Sequence, residues 1–212
     1  RLRISSIEPN LLNNDIIDLV SESKKILPHF HIPLQSGSDK ILKLMKRRYL
    51  RNVYEKRFEY IRKRIPNACI GSDVIIGFPG EDELEFMETY NFLKSIDISY
   101  LHVFSYSERS NTSSILLNNK VSKSIKNKRS KILRELSNSK KLEFYRKNIN
   151  NYHNVLFETE NKNGYIYGYT ENYVRVKSLW SNSKQNKILN CYIDGIDSDF
   201  SCIAEQAVEI KV

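Results

Sequence analysis

The chain has 212 residues, 40% hydrophobic and 28% charged, with 34 Lys and Arg against 25 Asp and Glu for a formal net charge of +9. That length suffices for one large core or two modest ones, no run of 18 apolar residues is present to cross a bilayer as a helix, and Cys69, Cys191 and Cys202 are too dispersed for a disulfide framework or a zinc site. The expectation is a soluble cytoplasmic chain with reduced, buried thiols and no membrane partner, and its opening on Arg1, directly in an apolar stretch, does not read as a natural start.

In chain order, residues 2–6 read as a short strand closed by Glu8-Pro9, and Asn14 or Asp15 as the cap of a helix over Ile16, Ile17, Leu19 and Val20. Residues 30–34 form the next strand. Ser38 suits the N-cap of a helix over residues 39–46, its hydroxyl accepting the free N–H groups of the first turn. A helix over 52–65 places Tyr54, Phe58, Ile61 and Ile65 on one face, and Pro66 ends it. A strand over 69–76, a helix over 82–95 with Phe86, Tyr90 and Leu93 inward, and a strand over 99–106 follow. Four strands alternating with helices imply parallel pairing, in a doubly wound sheet or in half of a (βα)8-type barrel; periodicity does not separate the two. A long basic helix covers residues 122–148. Beyond it, five short apolar stretches (155–159, 165–170, 173–177, 188–193 and 201–204) come at hairpin spacing. Turn signals at Asn163-Gly164, at Asp194-Gly195 and in the polar run 181–186 complete the rhythm of a small OB-like barrel. The domain boundary is set near residue 147, giving units 1–146 and 147–212.

Charge is unevenly distributed. Residues 40–66 and 120–149 each hold 11 basic against 2 acidic residues, a net +9 apiece, around a segment, 67–119, of net −6. Two basic belts followed by a β unit favour a polyanion such as RNA.

Three strand ends are polar in a way that packing does not require, and parallel strands bind ligands at those ends. Gln35-Ser36-Gly37-Ser38 offers an amide, two hydroxyls and a helix start. Gly77-Phe78-Pro79-Gly80-Glu81 combines two conformationally free glycines with flat apolar groups sized for an adenine ring. Tyr106 and Arg109 close the third end, Arg109 being suited to pair with a carboxylate. Tyr100, His102, Phe104 and Tyr106 share a strand face by period two, a pattern expected to pack in a core with His102 among it. No catalytic triad, carboxylate pair or metal site is expected from four scattered histidines and three remote cysteines.

The strings RLRISSIEP, HIPLQSGSDKILKLMKRRY, DVIIGFPGE, LHVFSYSERSNT and GYTENYVRVK, taken in series, resemble the methylthiotransferase family of radical S-adenosylmethionine enzymes. The resemblance spans nearly the whole chain, and implies an α/β fold in which residues 1–146 supply the third to sixth strands of a radical SAM barrel and a basic linker helix. Residues 147–212 would form a small all-β TRAM barrel. SSIEP, LHVFSYSER and GYTENYVRV are most similar to the type acting on threonylcarbamoyladenosine beside the tRNA anticodon; the isopentenyladenosine type is the alternative, and a non-catalytic RNA-binding module is the reading from a different class. The family implies S-adenosylmethionine and two 4Fe-4S clusters whose cysteines lie upstream of Arg1, an electron-donor protein, and the tRNA anticodon stem-loop as partner. CxxxCxxC is absent, so this chain alone is expected to be inactive. In this scheme Gln35 and Ser36 meet the ribose or methionine end of the cofactor, Gly77, Phe78, Pro79 and Gly80 its adenine, and Asp73 joins that set. Tyr106 and Arg109 face substrate, while Tyr173, Arg175 and Lys177 offer RNA an aromatic ring and two cations on one strand run. The sequence departs from the family pattern at Ser105, usually Pro, and at Asn111, usually Gly.

Overall fold

Alternation of apolar and polar residues builds a parallel sheet in the first of two units into which the chain divides, Arg1–Lys141 and Leu142–Val212. The computed structural model describes residues 1–110 and 112–206; the departure at Asn111 lies outside the described residues. Strands β1 (His29–His31), β2 (Cys69–Ile76) and β3 (Tyr100–Ser105) lie in the order β1-β2-β3, with Phe30 beside Ile70 and Asp73 beside His102. The sequential order of these three strands holds no reversal of the kind that marks the switch point of a doubly wound sheet.

The two sheet faces differ. Phe30, Ile70, Val74, Ile76 and Leu101 pack with α1 (Asn14–Glu22), α3 (Arg51–Arg64) and α4 (Glu83–Ser95) through Ile17, Val20, Tyr54, Phe58, Ile61, Phe86, Phe92 and Leu93, and Leu133 of α5 (Lys123–Arg146) joins the same cluster. Period two places His29, His31, Gly71, Asp73, Ile75, Tyr100, His102 and Phe104 on the opposite face. Phe104 is 52% exposed, so that face is not the packed core its aromatic content suggested. Gly71 allows a close approach there: a Cβ would overlap the end of the Tyr100 ring. Gly71→Ala is expected to destabilise this unit by about 1–3 kcal/mol, as overpacking does; a thermal melt by circular dichroism checks it, and an unchanged melt would mean that the Tyr100 ring moves aside freely.

Several elements differ from the sequence reading. Residues 2–6 make isolated parallel bridges, Leu2 to Ile26 and Ser6 to His31, and no continuous strand, because most of the segment is exposed. The strand expected over 30–34 ends at His31: Pro33 has no N–H for the ladder, and Gln35 adopts φ +66°. Pairing resumes at a bridge between Gln35 and Val74. Asn13 caps α1, accepting from Ile16 N–H, in place of Asn14 or Asp15. Ser38 occupies the N-cap of α2 (Asp39–Leu44) but its hydroxyl makes no capping bond. Asp82 does cap α4, in a reciprocal capping box with Glu85.

The second unit is a closed five-stranded barrel in the order β4-β5-β6-β8-β7, from β4 (Tyr152–Lys162), β5 (Tyr165–Tyr169), β6 (Arg175–Leu179), β7 (Ile188–Ile196) and β8 (Cys202–Gln206). Closure leaves no edge for another strand to join. Val155, Phe157, Ile166, Val176, Ile193 and Ala204 fill it. Asn163 and Gly164 both have positive φ and turn β4 into β5. Asp194-Gly195 is not a turn: it lies within β7 at a register shift against β8, and the chain reverses at residues 197–200 instead, where Phe200 N–H bonds the Asp197 carbonyl. Among the described residues, no helix is long and apolar enough to cross a membrane.

Candidate functional site

Strand ends β2 and β3 open into a cleft of about 510 Å3 lined by Gln35, Arg47, Asp73, Phe104, Tyr106 and Arg109. Gln35 is held in its left-handed conformation from both sides, its N–H donating to the Asp73 carbonyl at 2.9 Å and its carbonyl accepting from Ile75 N–H at 2.9 Å. A non-glycine residue kept at such a φ is strained, and strain of this kind is tolerated where a side chain must be aimed. Tyr106 is fixed by its hydroxyl on Ser114 Oγ at 2.9 Å, by the edge of Phe78 with ring centroids 5.0 Å apart, and by Lys126, whose Nζ lies 5.2 Å from the ring centroid and donates to the Tyr106 carbonyl at 3.0 Å.

The remaining cofactor candidates do not converge on this cleft. Ser36 is fully buried, its hydroxyl at 3.2 Å from Thr89 Oγ1 and accepting from Ser38 N–H at 3.2 Å, which makes it a brace between the strand end and α4. Phe78 is 6% exposed and supports Tyr106. The side of Gly77 that a Cβ would occupy is covered by the Lys126 chain. Pro79 and Gly80 line a separate cleft of about 810 Å3 with Leu44 and Ile125. Glu81 is buried beneath them, accepting from Gly77 N–H at 3.0 Å and from Arg129 Nη1 at 2.8 Å; burial pushes its pKa up against those bonds.

On the sheet's open face His31 Nε2 stands 2.8 Å from Asp73 Oδ1, and His102 Nδ1 stands 3.2 Å from the same oxygen. The sequence reading took His102 for a core residue and the histidines as scattered. Its side chain is 54% exposed, and parallel pairing brings residues 31, 73 and 102 onto three adjacent strands. Only the period-two pattern HFH and YLHVF hinted at a shared face.

In the barrel, Tyr173 precedes β6 and has φ +69°, so period two does not carry it onto the face of Arg175. The two nevertheless meet through Tyr169: its ring stacks on Tyr173 with centroids 4.4 Å apart, and the Arg175 guanidinium lies 4.6 Å from Tyr169 and 4.9 Å from Tyr167. The sequence missed Tyr167, Tyr169 and the acidic partners. Glu158 takes Arg175 bidentately at 2.6 and 2.9 Å. Lys177 sits between Asp197 at 2.6 Å and Asp199 at 3.1 Å, and the bond to Asp197 leads in pushing its pKa up. Both cations are already neutralised within the barrel.

The belts are likewise partly engaged inside the first unit. Lys40 pairs with Glu85, Arg47 with Glu8 and Arg64 with Asp18, while Lys140 caps the carbonyls of Lys94 and Ile96. Lys123, Lys128, Lys131 and Arg134 are exposed on α5.

The chain's own thiols do not fit an iron–sulfur cluster. Burial pushes Cys69 up to about 12 and Cys191 up to about 11, and Cys191 and Cys202 belong to a different unit from Cys69. Cluster ligands are closely spaced thiolates. The cleft at Gln35, Asp73, Tyr106 and Arg109 fits a polar ligand of S-adenosylmethionine's kind, with an amide, a carboxylate, a phenol and a guanidinium around one space.

Residues 1–93 match the Radical SAM superfamily. Over 176 residues the chain is 43% identical to threonylcarbamoyladenosine tRNA methylthiotransferase MtaB of Aquifex aeolicus (strain VF5), covering 83% of this chain and 42% of that protein. It is 35% identical over 162 residues to tRNA-2-methylthio-N(6)-dimethylallyladenosine synthase of Carboxydothermus hydrogenoformans, covering 76% of this chain and 37% of that one. Among solved structures, coproporphyrinogen III oxidase (HemN) of Escherichia coli, a radical SAM enzyme, superposes with a TM-score of 0.53 at 13% identity over 64% of this chain and 31% of that chain, a likeness of fold alone. The chain spans about two fifths of the length of the curated relatives it matches. By its sequence, the chain is similar over 83% of its length to a methylthiotransferase, and residues 1–93 match the Radical SAM superfamily.

Proposed function

We propose that this chain is part of a cytoplasmic tRNA methylthiotransferase that places a methylthio group on threonylcarbamoyladenosine beside the anticodon. The observation that carries the reading is the 43% identity to a protein of that name; identity to a dimethylallyladenosine synthase supports isopentenyladenosine as the second substrate reading. In this proposal β1 to β3 and the bridged segment before them are the third to sixth strands of the radical SAM barrel. Residues 147–212 act as a TRAM domain, and the ligands of two 4Fe-4S clusters and an electron donor come from outside this chain.

Bound S-adenosylmethionine supplies the methyl group and, with a reduced cluster, radical chemistry. The residues of this chain bind and orient. Gln35 and Asp73 would hold the hydroxyls and amine of the cofactor, Tyr106 would stack at the cleft wall, and Arg109 would pair with the carboxylate of the threonylcarbamoyl group. Ser36, Gly77, Phe78, Pro79 and Gly80 contribute by shaping the two strand ends.

Expression of the chain together with the cluster-binding part that the proposal requires, in a host lacking its own methylthiotransferase, with mass spectrometry of tRNA nucleosides, tests the proposal. The methylthio derivative of threonylcarbamoyladenosine is expected, reduced about tenfold or more by Arg109→Ala, since a charge-assisted bidentate pair contributes about 1.5–3 kcal/mol. Methylthiolated isopentenyladenosine would establish the second reading, and neither product would refute both.

A further inference from the structure

Three of the chain's four histidines gather on the open face of the sheet, where neither hydrophobic packing nor the cleft's cofactor-type groups account for them. His31 on β1, Asp73 on β2 and His102 on β3 each direct one ligand-type atom to a common point. His31 Nε2 and His102 Nδ1 lie 2.8 and 3.2 Å from Asp73 Oδ1, and the three atoms all lie within 4.8 Å of one another. Two donors held about 2.0–2.2 Å from one metal stand roughly 3–3.4 Å apart at octahedral to tetrahedral angles. The two pairs that share Asp73 Oδ1 already lie within a few tenths of an ångström of that range, and rotation of the half-exposed His102 ring brings the third pair, which lies within 4.8 Å, into it.

The surroundings are those of a metal ligand's outer shell. The Tyr100 hydroxyl lies 3.3 Å from His31 Nδ1 and 3.1 Å from His29 Nε2. Gly71 is what lets Tyr100 lie there. With Tyr100 donating to His29, the phenol oxygen accepts Nδ1–H of His31. That tautomer turns the lone pair of His31 Nε2 toward the Asp73 carboxylate, leaving two acceptors 2.8 Å apart that a cation between them would satisfy. The opposite orientation of the relay places a proton there instead, so the same geometry serves the metal-free protein.

The bland reading is a carboxylate steadying two imidazoles. It explains His31, whose side chain is 13% exposed, but not His102, which at 54% exposed gains little from being steadied. Of the three groups Asp73 lines the cleft, which sets the cluster at the cleft's wall.

We propose that His31, Asp73 and His102 form a mononuclear site for a borderline divalent transition metal such as Zn2+ or Fe2+, at the wall of the cleft. Two imidazoles and one carboxylate suit such ions and disfavour Mg2+ and Ca2+, which prefer all-oxygen sites. The site uses no thiolate and does not depend on the reaction proposed above; bound there, the ion would polarise an oxygen ligand entering the cleft.

Titration of the untagged chain with Zn2+ by calorimetry, and with Co2+ by visible absorption, tests this. One equivalent should bind, with ligand-field bands of nitrogen and oxygen ligation and no sulfur-to-metal charge-transfer band. Tyr100→Phe should weaken binding about tenfold to 100-fold as loss of an outer-shell partner does, and His102→Ala should weaken it further. His153→Gln, altering the one histidine that lies away from the sheet, should leave it unchanged. His102 is half-exposed, so its replacement is expected to fold, and circular dichroism verifies that; should Asp73→Asn not fold, His102→Ala and the parent's Co2+ spectrum decide. Absence of saturable one-equivalent binding, undiminished binding in His102→Ala, or a thiolate band would overturn the proposal.

Discussion

Arg129→Met is expected to destabilise the first unit by about 3–5 kcal/mol at neutral pH, the usual consequence of stranding one member of a buried ion pair. Arg129 is 5% exposed and Glu81 4%. The guanidinium donates through Nη1 to Glu81 Oε1 at 2.8 Å and to the Glu81 carbonyl at 3.0 Å, reaches Glu83 through Nη2 at 3.1 Å, and lies 5.1 Å from the Phe86 ring centroid. Met replaces the packing and none of the bonds. Burial already raises the Glu81 pKa, with the Gly77 N–H and Arg129 opposing it. Removal of the cation lifts the folded-state pKa further above the unfolded value. Such a carboxyl binds its proton more tightly when folded, so its unfavourable contribution is full above the folded pKa and fades as pH falls toward the unfolded one. The variant's deficit should therefore be widest at neutral pH and narrow in acid. Urea denaturation followed by far-UV circular dichroism at several pH values measures it, and Glu81→Gln on the Arg129→Met background should recover part of the loss. A deficit that is small, or constant with pH, would mean that water reaches Glu81 and the pair is not sealed.

Arg129 also marks where sequence reading stops. It counts toward the basic belt at 120–149, and its charge alone does not distinguish it from exposed Lys128 beside it. Helical phase assigns it to the buried side, but its partner Glu81 is fixed by tertiary structure. Elements whose information is local were legible: β2 matches the stretch 69–76 read from its apolar run, the turn at Asn163-Gly164 follows from backbone chemistry, and the helix read over 82–95 is α4, with Asp82 as its cap instead of its first residue. Elements that depend on a distant neighbour were not. Ser38 has the chemistry of a cap but its hydroxyl is not used, and Ser36 braces α4 through Thr89. The cluster of His31, Asp73 and His102 exists because three strands pair in parallel at one register, which composition cannot reveal. Lys177 reads as a free cation because Asp197 and Asp199 reach it across β6, β7 and β8.

That engagement changes what an RNA titration should show. Affinity for tRNA is expected to fall steeply with salt, on the order of 10³ between about 50 and 200 mM if six or more phosphates are neutralised. Lys123, Lys128, Lys131 and Arg134 occupy an exposed arc of α5 roughly 140° wide at about 100° per residue. Replacing all four with Ala should lower the salt slope by about 0.7–0.9 for each phosphate that is no longer neutralised. Arg175→Ala and Lys177→Ala, by contrast, should scarcely change it, because Glu158, Asp197 and Asp199 already balance those charges. Removing Lys177 leaves two carboxylates behind and should weaken binding by repulsion at low salt. The aromatic stack acts differently. Tyr167 and Tyr173 terminate a series in which Arg175 and Tyr169 are the inner members, and a base stacked on such a ring contributes about 1–3 kcal/mol with little dependence on salt. Tyr173→Ala should therefore lower affinity by a similar factor at every salt concentration, measured by fluorescence anisotropy of labelled tRNA. A salt slope reduced by Arg175→Ala would show instead that phosphate displaces Glu158. A slope untouched by the four α5 replacements would move the RNA-binding face off this helix, to the exposed cations at residues 43, 46, 48, 56 and 63.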